Sequence, residues 1–421
     1  SDMTAKLAHD GAQIYIGHKA ENVEGKDLII YSSAISMENP ELAKAKELGI
    51  PAVTRAQALG ALMAEYDSSI AISGTHGKTT TTSMVSLILK NAHKEPTILV
   101  GGNLPEINGN VYVGQNDYFV TEACEYMDSF LNLKPKIEII LIIDCDHVDY
   151  LMYVEVFSIC FDKFGKLVPH NGAVIAYDAN PFVKSVISGL PNAITFGLSE
   201  SCDYYASDIN FNNDGMPQFH VNHGGKALCQ IELAVPGEHN ILNALAAFAC
   251  CHIQGVSVED IVKTLDGYTG TQRRFDLLGE TSTGIRIVDD YAHHPTEIKA
   301  TLAAVRNMKH NTLWCLFQPH TYTRTMALLD DFATAFDEAD KVVLAEIYAA
   351  REKNIHKISS KTLMNKIKEH DPGKDVYFFE DFEEIASFVY NNAQEGDLVI
   401  TMGAGDIYKV GEMILDKDQN R

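Results

Sequence analysis

The stretch SSIAISGTHGKTTTTSMVSLIL, residues 68–89, constrains the fold more than any other part of the chain. A short apolar run, Ile70-Ala71-Ile72, enters a Gly-Thr-His-Gly-Lys-Thr turn, and a run with helical patterning follows. A buried strand that passes through a glycine turn into a helix is a building block of parallel α/β sheets. Gly74 and Gly77 let backbone N–H groups, with Thr75 and His76 between them, close on phosphate oxygens. The helix start adds partial positive charge, Lys78 can reach outer phosphates, and the Thr79 hydroxyl can bind Mg²⁺. The common pattern G-x-x-x-x-G-K-[ST] is not met, because its first glycine would fall at Ile72. Thr79, Thr80, Thr81 and Thr82 open the helix. Threonine is a mediocre helix former, so this run suits hydroxyl ligation better than helix stability.

Strand-like and helix-like stretches alternate along nearly all of the 421 residues, which implies an α/β chain of two or three domains with largely parallel sheets. Three segments are expected: 1–67, 68–272 and 273–421. In the first, AQIYIGH and DLIIYSSAI read as strands, and NPELAKAKELGIP reads as a helix stopped by Gly49 and Pro51. Few strands can be counted there, and the segment reads as incomplete. In the second, DYFVTEA, IEIILIID and GAVIAYD read as strands. Antiparallel hairpins turning at Asn212–Gly215 and His223–Gly225 follow, and then a buried helix ended by Gly255. The third repeats the alternation through IRIVDDY, TLWCLFQ, KVVLAEIY, DVYFFED and DLVITMG.

Charge narrows the partners. Lys and Arg total 34 and Asp and Glu 57, giving a net charge of −23. Such a surface repels polyanions, so no nucleic-acid partner is expected. Positive charge for a phosphate ester must therefore be concentrated at the site itself. No apolar run approaches membrane-span length, and SDMTAKLAHDG is not patterned as a secretion signal. The eight cysteines form no C-x-x-C pair. A reduced, cytoplasmic protein with no membrane partner is expected.

Several side chains stand where chemistry is done in such folds. Glu122 and Glu125 follow the strand DYFV, where carboxylates beside a phosphate loop can ligate Mg²⁺. Glu125 also reads as part of a solvated acidic loop. Asn240 and Asn243, three apart on one helix face, offer the donor and acceptor that an adenine edge requires. Arg274 suits phosphate and Asp290 suits ribose hydroxyls, whereas Arg273 reads as a surface salt bridge. Tyr291, His293, His294, His320, Tyr322 and Arg324 cluster at two strand ends, with Tyr348 and Arg351 at a third.

The loop SGTHGKTTT resembles the shortened phosphate loop of the Mur ligase family, the ATP-dependent amide-forming enzymes of peptidoglycan synthesis. TEACEYMDSFLNLKPKIEIIL, DCDHVDYL, VPGEHNILNAL, GTQRRFD, DDYAHHPTEIKATL, FQPHTYTRT and TMGAGD resemble the family's motifs in the same order. The resemblance implies a three-domain Mur ligase architecture: a truncated Rossmann-like N-terminal domain, a central P-loop ATPase-like domain with an added antiparallel part, and a C-terminal Rossmann-like domain. It implies an enzyme that uses ATP and Mg²⁺ to form an amide between L-alanine and UDP-N-acetylmuramate through an acyl phosphate. A sister activity on a preformed peptide, and a nucleotide-binding homologue with a partner-binding role, stay open beside it.

By resemblance, Lys78, Glu122 and His147 are catalytic, and Thr79, Glu122 and His147 hold metal, His147 at a second Mg²⁺. Ile142 and Asp144 stand where the family has Asn and Glu. Thr75, His76, Thr80, His239, Asn240, Asn243, Arg274 and Asp290 are implied to join the loop in binding ATP, the last two when the third domain closes. Arg324 is the candidate for the amino acid's carboxylate and His293 for the region near its amine, with Tyr291 and His320 beside them. Ser32 and Ser33 resemble the loop near the UDP moiety, while the family's G-x-G-G-x-G turn is absent before residue 32.

Overall fold

In the computed structural model, which describes residues 2–143, 154–355 and 357–419, the first segment carries one small sheet. Two short parallel strands form it, β1 (Ile29–Tyr31) and β2 (Ala52–Thr54). The expected helix lies between them over Pro40–Leu48, with Asn39 capping its start and Gly49 closing it at φ 70°. Thr54 and Gln57 then form a reciprocal capping box that starts the helix Arg55–Met63. AQIYIGH is not a strand. It has no neighbour to pair with, and Ile14, Tyr15 and Ile16 are exposed.

Ten strands build the middle sheet: β3 (Ser68–Ser73), β4 (Thr97–Leu104), β5 (Gly109–Tyr112), β6 (Tyr118–Glu122), β7 (Ile137–Ile140), β8 (Ala173–Tyr177), β9 (Ala193–Gly197), β10 (Tyr204–Phe211), β11 (Pro217–His223) and β12 (Lys226–Glu232). Their spatial order is β12-β11-β10-β9-β8-β7-β3-β6-β4-β5. β3 pairs in parallel with both β6 and β7, whereas β10, β11 and β12 are antiparallel, as the hairpin turns predict. Ile70, Ala71 and Ile72 are fully buried, because helices cover both faces here. On one face Met84, Val85 and Ile88 of the helix Lys78–Asn91 meet Leu245 and Phe248 of the helix Glu238–Ile253. On the other, Phe130 packs against Phe161 and Phe164 at ring separations of 5.2 and 4.5 Å.

The third sheet comprises β13 (Asp276–Glu280), β14 (Arg286–Asp290), β15 (Leu313–Phe317), β16 (Lys341–Leu344), β17 (Asp375–Phe378) and β18 (Leu398–Met402), in the order β13-β14-β18-β15-β16-β17. Only β13 is antiparallel within it. The carboxyl ends of β14, β18, β15 and β16 therefore lie side by side in that order and present the residues after 290, 402, 317 and 344 at one edge. The middle and third sheets are joined away from the phosphate loop as well. The hairpin turn between β10 and β11 docks on the end of the helix Pro295–Arg306, through a bridge between Asp214 and Met308 and a bond from the Lys309 N–H to the Asn213 carbonyl at 3.1 Å. No helix among the described residues is long and apolar enough to cross a membrane.

One buried carboxyl is a liability. Glu138 on β7 is fully buried, and burial, only partly opposed by Ser73, pushes it up to about 8. Ser73 Oγ lies 3.1 Å from Glu138 Oε1 and 2.9 Å from the Ile139 carbonyl. One hydroxyl proton cannot serve both, whereas a protonated Glu138 that donates to Ser73 frees the hydroxyl proton for the Ile139 carbonyl, with Glu138 Oε2 still unpartnered. Because the folded value lies above the ordinary one, the stability present at acid pH is lost as pH rises towards 8, at about 1.4 kcal/mol per unit. Glu138→Gln should flatten that loss, so the variant should gain melting temperature over the parent between pH 6 and 9.

Candidate active site

The phosphate loop is built as its sequence implies. Gly74 (φ 123°) and Gly77 (φ 83°) adopt backbone angles that L side chains rarely reach, and no side chain caps the first N–H groups of the helix Lys78–Asn91. A Cβ on Gly77 would stand 2.5 Å from Asn243 Oδ1, so the loop rests directly on that amide. Asn243 accepts from Thr81 Oγ1 (3.2 Å) and donates to Asn240 Oδ1 (3.0 Å), and Asn240 donates to the Pro236 carbonyl (2.7 Å). The two asparagines expected at an adenine edge thus also support the loop from below.

Lys78 folds back over the loop, reaching the carbonyls of Gly74 and Thr75 and both oxygens of Glu125, at 3.1 and 3.2 Å. Glu125 is fully buried. The expectation of a solvated acidic loop is therefore corrected: the turn after β6 carries the lysine's counter-charge inward. That turn is strained, with Met127 and Asp128 both left-handed at φ 55° and 54°. It is anchored by buried Phe130, whose N–H donates to the Cys124 carbonyl.

Glu122 lies at the end of β6 and accepts from the Gly101 N–H. A Cβ on Gly101 would come within 2.7 Å of both Glu122 oxygens, and one on Gly102 within 3.2 Å of Thr79 Cγ2. The glycine pair thus runs past both groups and leaves open the space that side chains would fill. A carboxylate and a hydroxyl beside such a cradle suit a hard cation such as Mg²⁺. Among the described residues no cluster of three or more His, Cys, Asp or Glu side chains forms a metal site. His147 lies outside the described residues.

Two clefts lie near these groups, the first lined by the loop and the second by Glu122. One, of about 190 Å³, is lined by His76, Gly77 and Thr80, by His239, Asn240 and Asn243, and by Arg274 and Asp290 across from them. Tyr177, Phe196 and Leu242 give it an apolar wall, the usual make-up of a pocket for a flat heterocycle. His239 shows surface to this cleft yet sits among atoms of both lobes, and that desolvation, with Arg274 beside it, lowers its imidazole to about 4. Burial raises Asp290 to about 6 against the pull of Arg274. Its oxygens already accept from the N–H groups of Ala292 and Phe275, both at 2.8 Å, and from Thr301. The other cleft, of about 610 Å³, runs from Ser32 and Ser33 past Arg55 and Gln57 to Glu122 and Tyr126.

The histidine cluster also assembles. His293 stands 5.4 Å from the Tyr291 ring and 5.7 Å from the His320 ring, and Tyr348 stacks on His320. Burial, aided by His293 and Arg324 nearby, lowers His320 to about 4. Arg324 is itself buried, Tyr322 is half-buried and Arg351 is exposed.

One residue was missed and two were misread. Glu297, three positions after His294, closes a capping box there, and its Oε1 lies 3.1 Å from His76 Nδ1 of the phosphate loop. Burial raises its carboxyl, but His293, His76 and Arg274 outweigh that and hold it well below the ordinary range. The spacing H-x-x-E before a helical run was the available signal for the cap; nothing in the sequence paired this glutamate with His76. Glu125, read as a metal carboxylate or part of a solvated loop, is instead buried against Lys78. Arg273 is not a surface ion pair. It bonds buried Asp289 at 3.1 Å and the Gly403 carbonyl at 2.7 Å, and lies over the rings of Tyr291 and Tyr408. Gly77→Ala should abolish binding of a non-hydrolysable ATP analogue, seen as loss of the analogue-induced rise in melting temperature.

Comparisons with known proteins agree with this fold. The description "Mur ligase family, catalytic domain" matches residues 1–67, "Mur ligase middle domain" 72–251, and "Mur ligase, glutamate ligase domain" 273–405. A UDP-N-acetylmuramate–L-alanine ligase from Acetivibrio thermocellus is 50% identical over 421 residues, covering 100% of this chain and 89% of that protein. One from Caldanaerobacter subterraneus is 47% identical over 420 residues, covering 100% and 91%. The crystal structure of a UDP-N-acetylmuramate–alanine ligase from Thermotoga maritima superposes with a TM-score of 0.84 at 28% identity, covering 100% of this chain and 91% of that one. The chain belongs to the Mur ligase family.

Proposed function

We propose that this chain joins L-alanine to UDP-N-acetylmuramate at the expense of ATP, in peptidoglycan precursor synthesis. The observation that carries the reading is the cleft lined by His76, Gly77 and Thr80 of the phosphate loop on one side and by Arg274 and Asp290 of the third domain on the other, with a second cleft running from Ser32 to Glu122 on the neighbouring strand. Relatives named for this activity and identical at up to half of all positions support it. A carboxylate and an ammonium do not condense at neutral pH, so the γ-phosphate must first pass to the lactyl carboxylate. The alanine amine then attacks the acyl phosphate, and phosphate leaves from the tetrahedral adduct.

In this reading the adenine occupies the apolar cleft beside His239, Asn240 and Asn243, and Arg274 faces the phosphates. The loop N–H groups hold the β-phosphate side, and Lys78 exchanges Glu125 for the transferring oxygens, offsetting charge as it builds. The uridine sugar lies along the Ser32–Ser33 cleft, and its carboxylate approaches Glu122. Tyr291, His293, His320 and Arg324 receive the amino acid. Thr79 and Glu122 would hold Mg²⁺, with His147 at a second ion; when bound, the metal neutralises charge between the two anionic reactants. Three domains with borders near 67/68 and 272/273, and a cytoplasmic setting where these substrates occur, complete the reading.

The test is substrate-dependent ADP release. Release should require both UDP-N-acetylmuramate and L-alanine, should not be supported by a tripeptide in place of alanine, and should fall at least about 100-fold in Lys78→Met. Release with ATP alone, indifferent to both substrates, would overturn it.

A further inference from the structure

The contact between His76 and Glu297 is the place where the phosphate loop touches the third domain through a pair of charge-bearing side chains. Both side chains are mostly covered, at 14% and 15% exposure. The carboxylate is shared. Oε1 faces His76, while Oε2 accepts from the N–H groups of His293 (3.0 Å) and His294 (3.2 Å) and lies 3.3 Å from His293 Nδ1. The rings of His76 and His294 also approach to 5.4 Å. A loop that wraps phosphate fixes where His76 stands, and a helix start that grips His293 through the same carboxylate must follow.

We infer that Glu297 is a positioning residue that keys the third domain onto the phosphate loop and sets His293, so that nucleotide and amino acid strengthen each other's binding. The inference rests on the functional reading above and adds to it a residue through which its two sites communicate. A helix cap alone does not require Oε1 to leave its own helix for a residue more than two hundred positions earlier. The rest of the helix is prevented from drifting by the hairpin at its far end, where Asn213 holds Lys309. Displacement at the loop is therefore delivered to His293 rather than spread over the domain. Coupling between sites is reciprocal and usually amounts to between fivefold and a hundredfold.

The test measures the dissociation constant of L-alanine on the full chain, without and with saturating non-hydrolysable ATP analogue, and takes their ratio. The parent should show a ratio of roughly ten. Glu297→Gln retains an oxygen for the two helix N–H groups but not the charge facing His76, and its ratio should drop to near one. His76→Ala should give the same drop, and the double variant no further one, because both remove a single contact. A ratio that survives in Glu297→Gln, or effects of the two variants that simply add, would overturn the inference and leave Glu297 as a helix cap. An analogue that binds with no effect on L-alanine in the parent would overturn it alone. Failure of the parent to bind the analogue at all would instead bring down the functional reading, and the inference with it.

Discussion

A lysine ammonium held against a buried carboxylate is the interaction around which the middle domain is arranged. The protein carries a net charge of −23, so its surface as a whole repels a polyphosphate. Attraction must come from one point, where a bare helix start and Lys78 face the same space. Glu125 supplies the counter-charge that keeps this lysine ordered, with Gly74 and Thr75 lending carbonyls. Taking away one partner of such a pair leaves the other charge buried and uncompensated, which typically costs about 3–5 kcal/mol. Two adjacent left-handed residues follow Glu125, and a phenylalanine cluster pins the end of that turn.

The third domain is arranged around a different cation. Arg274 lines the cleft beside the phosphate loop, and its neighbour Arg273 is locked between Asp289, Gly403 and two tyrosine rings. Adjacent residues thus divide the work, one gripping the domain and the other reaching out of it. Left-handed backbone at Arg273 and Phe275 turns the connection sharply enough to separate the two side chains. Asp290 closes this arrangement by accepting from the Phe275 N–H, so its carboxylate holds the connector whether or not a ribose is present.

Much of this was legible in the sequence, for identifiable reasons. Buried parallel strands read as apolar runs, so β3, β7, β14 and β18 were found. The glycine turn, the ordered motifs and the strand-end histidines announced the site because glycine, lysine and histidine have few substitutes in those roles. β4, β5, β9 and β13 were not anticipated: they are short or interrupted, as at Gly101-Gly102, where a strand yields side chains to make room for Glu122. AQIYIGH has strand composition but no pairing partner, and pairing is a property of the fold rather than of the segment. The roles of Glu125, Arg273 and Glu297 were hidden because each depends on a residue far away in the chain, which no local pattern encodes.

The helix Pro295–Arg306 is gripped twice by the middle domain, by His76 near its first turn and by the β10–β11 hairpin just past its last. Twelve residues separate these grips by about 18 Å. A rigid body fastened at two points keeps a single freedom, a roll about the line between them, and here that line runs along the helix itself. Should the grip near the loop let go, the hairpin becomes a fulcrum. The helix then acts as a lever arm, and a swing of a few degrees about that fulcrum opens the nucleotide side of the domain while its far side barely shifts.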